Sequence, residues 1–343
     1  MKVAAAATVG IAANPLAGKD VRRLTSGAVP VTDAVKIGAV RNAIVGAIEA
    51  GAQRVLVSGD RSGLGDRALA GLDDPSTAEV LPQHGWHTGR DTELVAEQFC
   101  ALGAGAVIAL GGDGTQRSIV KGWRDVPLIP LAVGTNNVFP LRLEATAVGF
   151  AAGAVASGRA NAAAVTSQAK IIDVELAQRR CADVALVDVC LVRGSFVGAR
   201  AVWDAESPGE LIAAIAEPSC VGLSAIAAAV SPVGRTEDGG VHVRMACARG
   251  PAQRIRAAVA PGRYVDADIA DCTRLPFGRS VTLRGPGVLA LDGEREIVLD
   301  AGDAAHVTVN HDGPRVIDVA AAVAAAQRRL CNFEPASGSS EQG

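Results

Sequence analysis

The sequence predicts an α/β domain followed by a domain of antiparallel strands. In the first half, short apolar runs alternate with segments whose apolar residues recur at helical spacing. In the second half, short β-branched runs are separated by Gly, Pro and Asp turns. The pattern changes near 160–168, where Ser157-Gly158-Arg159 and the small residues after it interrupt the alternation. A chain of 343 residues that is 49% hydrophobic is long enough for two such domains. The expected division is residues 1–162, residues 163–312, and a C-terminal helix with a flexible tail over 313–343.

Residues 3–13 read as a first buried strand. The competing reading, a short signal peptide after Lys2, is disfavoured because Asn14-Pro15-Leu16-Ala17-Gly18-Lys19 makes sense as a turn leaving a strand. Val35, Ile37, Val40, Ile44 and Ile48 then mark a helix that Thr32 or Asp33 would cap. Strands are expected at 54–58 and 78–82, and a helix at 91–102 capped by Thr88 or Asp91. A strand at 106–110 leads into a glycine turn and a helix over 115–123. The strand at 127–133 ends in a second polar turn, and a helix follows at about 144–158. Such alternation implies a largely parallel sheet covered on both faces, with ligands at the carboxyl ends of its strands.

Beyond the break, strands are expected at 171–176, 181–192, 241–246, 254–259, 279–284, 288–291, 297–299 and 306–309. Residues 210–215 and 223–230 read as short helices between them, and 318–330 as a final helix.

A net charge of −3 with scattered basic residues offers no polycation, so nucleic acid is not an expected partner. No apolar run approaches the roughly 20 residues that span a bilayer. The seven cysteines form no CxxC pair, and none of the five histidines makes an i, i+4 pair. A reduced, cytoplasmic protein without a disulfide framework or a zinc site is the expectation.

The chemistry gathers in the polar turns. Gly111-Gly112-Asp113-Gly114-Thr115 follows an apolar strand directly, where glycine lets backbone N–H groups approach a phosphate and the next helix start adds further donors. Asp113 would repel a phosphate unless a cation or a substrate hydroxyl lay beside it, which points to phosphoryl transfer and not simple anion binding. Asn14-Pro15 with Gly18-Lys19, Gly134-Thr135-Asn136-Asn137, and Asp292-Gly293-Glu294 sit at comparable positions. Each alone also reads as an ordinary turn or cap.

Jointly, NPLAGKDVRRL, GGDGTQRSIVKG, PLAVGTNNVFP and ALDGERE resemble the superfamily of NAD kinases, diacylglycerol kinases and sphingosine kinases. Within it they look most like the acetoin catabolism protein X group, over about residues 10–300. The resemblance implies an N-terminal Rossmann-like parallel α/β nucleotide domain and a C-terminal antiparallel β-sandwich that would bind the acceptor. It implies ATP and Mg²⁺ as cofactors, and NAD or another small hydroxyl-bearing molecule as acceptor. Gly111, Gly112 and Gly114 would approach phosphate or the acceptor nucleotide, and Thr115 would hydrogen-bond or cap the helix. Asn14, Gly18 and Lys19 would close over the nucleotide, with Gly134, Thr135, Asn136 and Asn137 lining it. Asp113 would act on the acceptor hydroxyl, as a general base or through a magnesium-bound water. Glu294 would join it as a catalytic carboxylate and Asp292 would hold Mg²⁺. Self-association is a family-level expectation.

The acceptor residues depart from the pattern. NAD kinases usually carry a Gly-Ser-Thr-Ala-Tyr run, and the nearest stretch here is Cys220-Val221-Gly222-Leu223-Ser224-Ala225. A lipid or polyol kinase of the same fold and a nucleotide-sensing protein without turnover therefore stay open as alternatives. A Rossmann dehydrogenase does not, since no GxGxxG follows the first strand.

Overall fold

The computed structural model describes residues 6–18, 31–83, 85, 88–134, 137–176, 181–193, 208–246 and 252–331. The first half runs β1 (Thr8–Ala13), α1 (Asp33–Glu49), β2 (Arg54–Val57), α2 (Leu64–Leu69), β3 (Ala78–Val80), α3 (Gly89–Ala101), β4 (Ala106–Gly111), α4 (Asp113–Gly122), β5 (Pro127–Ala132), α5 (Ala145–Ala156), the single turn α6 (Ala162–Val165) and β6 (Thr166–Gln168). There follow β7 (Ile171–Leu176), β8 (Cys181–Ala185), β9 (Asp188–Val192), β10 (Pro208–Ala213), α7 (Ser224–Val230), β11 (Gly240–Met245), β12 (Gln253–Ala260) and β13 (Arg263–Leu275). The chain ends through β14 (Ser280–Arg284), β15 (Gly287–Leu291), β16 (Glu294–Leu299), β17 (Ala304–Asn310), β18 (Arg315–Ile317) and α8 (Val319–Cys331).

The first sheet has the order β3-β2-β1-β4-β5-β18-β6. Every pair in it is parallel except β18 with β6. Its strands are apolar on both faces because both faces are covered. Val9, Ile11 and Ala13 of β1 pack with Val40 and Ile44 of α1, Val148 and Ala152 of α5, and Ala322 and Ala326 of α8. Ala12 points the other way, into a cluster with Val95 and Phe99 of α3 and Ile119 and Val120 of α4. The chain thus returns after the second set of strands to complete the first sheet.

The other two sheets have the orders β12-β13-β11-β10-β9-β15-β16 and β14-β17-β7-β8, and their pairs are antiparallel. Ile172 and Val174, Val189 and Leu191, and Val307 and Val309 interdigitate between them as a sandwich core. The outer face of the larger sheet is covered by α7, through Ile226 and its alanines.

Thr32 and Thr88 are the N-caps, accepting from the amides of Val35 and Arg90. One expectation is overturned: residues 210–215 hold no helix but β10, antiparallel between β9 and β11. The Leu, Ile and Ala of this segment favour a helix locally, yet Leu211 and Ala213 fill one core and Ile212 the other, so two-sided burial overrides propensity. The long strand β13 was not legible, because Asp266, Asp268 and Asp271 dilute its apolar residues. The expected single run at 181–192 is broken into β8 and β9 at Leu186 and Val187, whose amides are taken by the Asp292 carboxylate.

Helices α1 and α5 meet backbone to backbone. A β-carbon at Gly149 would lie 2.1 Å from the Ala43 carbonyl oxygen, and one at Gly153 2.3 Å from that of Ala47. At Gly38, on the same helix as Ala43, a β-carbon would meet nothing within 4 Å. Chemical denaturation should therefore show Gly149→Val destabilised by about 3 kcal/mol, and Gly38→Ala stabilised by about 0.5–1 kcal/mol. Equal effects at the two sites would contradict the packing.

Candidate functional site

Strands β1, β4 and β5 are neighbours, so the polar turns at their carboxyl ends lie side by side. The Asn14 side chain donates from Nδ2 to Thr115 Oγ1 at 2.9 Å, and its own amide donates to the Leu110 carbonyl at 3.1 Å. Gly134 touches the first glycine turn: a β-carbon there would sit 2.6 Å from Gly112 Cα. Gly111 is glycine because a β-carbon would fall 2.3 Å from Thr115 Oγ1. The turn after β5 is closed by Asn137, which accepts from the Gly134 amide at 3.1 Å and donates back to its carbonyl at 2.6 Å. Beneath the first turn, Lys36 of α1 is 1% exposed and donates from Nζ to the Pro15 carbonyl at 2.6 Å. A buried ammonium thus holds the loop after β1 in place.

Gly112 caps α4 with no side-chain bond, its carbonyl accepting from the amides of Thr115 at 3.0 Å and Gln116 at 3.2 Å, so the positive end of the helix lies at the cavity. Asp113 opens that helix and is buried. Its Oδ1 accepts from the amides of Phe139 at 2.8 Å and Val138 at 3.0 Å, and its Oδ2 from Val138 at 3.2 Å. The carboxylate therefore secures the segment that follows the second turn.

From the second half, Asp292 reaches the same place. Its φ of 50° lies in the left-handed region, which Asp tolerates better than most residues. Its carboxylate accepts from the amides of Leu186 (3.0 Å), Val187 (2.8 Å) and Asp188 (3.3 Å). Gly293 then lets the chain turn so that Glu294 meets the helix start: a β-carbon at Gly114 would lie only 3.0 Å from Glu294 Oε1. Motifs 180 residues apart thus become the walls of one cavity of about 720 Å³.

Asn14, Gly18, Gly112, Asp113, Gly114, Thr115, Gly134, Asp292 and Glu294 all line that cavity. Gly111 and Asn137 stand behind the wall, as described above. Lys19, Thr135 and Asn136 lie outside the described residues. The turn at Thr88-Gly89-Arg90-Asp91 opens α3 into the same cavity. The Thr115 hydroxyl accepts from Asn14 and keeps its own proton to donate.

The sequence did not single out Asp188 or Arg117. Asp188 is 3% exposed, and its Oδ1 has no hydrogen-bond partner. Burial, then the nearby charges of Asp292 and Asp113, push its carboxyl well above the usual carboxylate range, against the amides of Ser224 and Gly293. Its one sequence signal was an acid inside the apolar run Ala185-Leu186-Val187-Asp188-Val189-Cys190. Burial also pushes Asp292 up to about 6, opposed by the Arg117 charge and by the three amides. Arg117 and Lys121 of α4 bring positive charge to the cavity, lying 3.6 and 3.2 Å from Asp183 Oδ1.

Residues 52–159 match the family model of the ATP-NAD kinase N-terminal domain, and residues 170–312 that of the acetoin catabolism protein X C-terminal domain. Acetoin catabolism protein X of Cupriavidus necator is 34% identical over 94% of this chain and 93% of its own length. Among solved structures, yeast NADH kinase complexed with NADH matches 98% of this chain and 89% of its own, with a TM-score of 0.54 at 15% identity, a likeness of fold. A diacylglycerol kinase structure from Bacillus anthracis matches 90% of this chain and 96% of its own at 10% identity, with a TM-score of 0.42. Among the described residues no helix is long and apolar enough to cross a membrane.

The raised carboxyls have a pH signature. A carboxyl whose folded pKa exceeds its unfolded value holds its proton more tightly when folded, so its stabilisation is complete below the unfolded value and is lost as pH rises through the folded one. For Asp292 that window runs from 3.8 to about 6. For Asp188 the sign is the same. Asp188→Asn, which cannot ionise, should raise the thermal midpoint by several degrees at about pH 8 and leave it nearly unchanged at about pH 4. A difference between variant and parent that is the same at both pH values would sink this assignment.

Proposed function

The chain belongs to the acetoin catabolism protein X family, and from the cavity its two halves share we propose that it transfers a phosphoryl group from ATP to a hydroxyl of a small acceptor, NAD foremost. The observation that carries the reading is the approach of Glu294 to Gly114, which brings a second-half carboxylate to the start of the helix behind the glycine turn. Phosphoryl transfer needs positioning and charge neutralisation more than covalent help from the protein. The helix α4 start and the glycine turns supply N–H donors for phosphate oxygens, and Arg117 and Lys121 supply positive charge beside them. Glu294 is then the carboxylate that takes the proton of the attacking hydroxyl as the new O–P bond forms and the bond to the leaving ADP oxygen breaks. Asp113 keeps the wall between the two glycine turns in register.

Magnesium fits this site as a guest of the nucleotide. No group of three or more His, Cys, Asp or Glu among the described residues is arranged to cage a metal. Mg²⁺, however, commonly binds through one or two carboxylates, several waters and substrate phosphates, and Glu294 lines the cavity for that role. When bound it would supply charge neutralisation on the phosphate oxygens. Asp292, whose oxygens face three amides, acts in this reading as scaffold and not as ligand.

NAD as acceptor is supported by the match of residues 52–159 to the ATP-NAD kinase model. One observation favours a second reading. Asp113 and Asp292 both direct carboxylate oxygens at backbone amides, which suits a cleft that binds a nucleotide without turning it over.

Incubation with Mg-ATP and NAD, NADH, glycerolipids or small polyols should release ADP with one of them, NADP being the product expected with NAD. Glu294→Gln should lower turnover by about 10²-fold with nucleotide affinity largely kept. Tight calorimetric binding of ATP with no ADP released from any acceptor would select the sensor, and no nucleotide binding at all would end both readings.

A further inference from the structure

The peptide that joins Val138 to Phe139 is gripped from both sides, and both residues are bonded at N–H and at C=O. Their N–H groups donate to Asp113 of the first half. Their carbonyls accept from one guanidinium of the second half: Arg235 donates from Nη1 to the Phe139 oxygen at 2.7 Å and from Nη2 to the Val138 oxygen. Arg235 lies in the connection between α7 and β11, and its own placement is set by Glu217. The Glu217 Oε1 atom is 3.5 Å from Arg235 Nε and accepts from the Arg235 amide at 3.4 Å. The result is a line of alternating charge: Glu217 carboxylate, Arg235 guanidinium, the dipole of the Val138–Phe139 peptide, Asp113 carboxylate. Hydrogen bonds in such a chain polarise one another, and those with an ionised partner are the stronger kind.

Other basic residues also cross between the halves. Arg124, just after α4, makes a bidentate pair with Asp173 at 2.8 and 2.9 Å and reaches Asp312 at 2.8 Å. Those contacts hold the halves together without touching either glycine turn. Arg235 differs in that its bonds end on a peptide unit that Asp113 holds and on the one after it, and these lead directly out of the Gly134 turn on the cavity wall.

We propose that Arg235 is a positioning residue of the cleft: it fixes the 137–139 segment, and through it Asp113, from the second half of the chain, so that the nucleotide wall is complete only when that half is in place. The effect on nucleotide rests on the phosphotransferase or sensor reading above; the mechanical link between Arg235 and residues 138–139 does not.

Hydrogen exchange and Mg-ATP calorimetry on the full chain separate the two. In Arg235→Ala, exchange at the Val138 and Phe139 amides should rise and Mg-ATP affinity fall by about tenfold, as expected for losing two charged hydrogen bonds. Arg235→Lys keeps the charge without the fork and should fall between the two, and Glu217→Gln should shift exchange in the same direction by less. Arg124→Ala should lower the unfolding midpoint yet leave exchange at 138–139 and Mg-ATP affinity unchanged. Placed on an Asp113→Asn background, Arg235→Ala should add little, because both act through the peptide that joins residues 138 and 139. Unchanged exchange in Arg235→Ala, an equal effect from Arg124→Ala, or additive losses in the double variant would each overturn the proposal. Should the parent protein bind no Mg-ATP, the functional reading falls while the exchange comparison still decides the link.

Discussion

A carboxylate taken out of water must find donors or give up its charge, and near the centre of this molecule Asp113 and Asp292 find theirs in backbone amides far along the chain. Asp113 closes on residues 138 and 139, and Asp292 on residues 186 to 188. Those two closures decide much else. The first holds the turn after β5 against the glycine turn after β4. The second interrupts what would have been one strand, ends β8 at Ala185 and starts β9 at Asp188.

The same closures join the halves of the protein. Val138 and Phe139 share one apolar cluster with Leu186, Val187 and Ile215, so the two segments gripped by the carboxylates also pack on each other. Asp188 sits within this junction with its charge opposed by burial and by both neighbouring acids. Three buried acids so close together cost stability. Positive charge enters from α4 through Arg117 and Lys121, so the cleft is bounded by both signs.

Much of the first half was legible because its signals are local. The parallel strands read as apolar runs, Thr32 and Thr88 stood where caps should stand, and the glycine turn followed a strand in the place where such folds bind ligands. The second half was less legible. Residues 210–215 carry helix-favouring side chains into a strand because both of their faces are buried. Strand β13 hides behind its aspartates, and the short β18 is recognisable only from its pairing with β5 and β6. Asp188 was visible as an acid in an apolar run, yet nothing nearby in sequence showed that Asp113 and Asp292 would be its neighbours.

By itself the sequence determined the two-part architecture, the positions of the glycine and polar turns at strand ends, and the family to which the chain belongs. Strand and helix periods, caps and glycine turns are written in residue types at fixed short spacings. Only the tertiary structure decided which carboxylates build the cleft and which face into it, and that Arg235 completes the grip on the 138–139 peptides. The physical reason is that the partners in these contacts are backbone N–H and C=O groups. Every residue but proline supplies both, so such a contact leaves no mark in the identity of the residue that makes it.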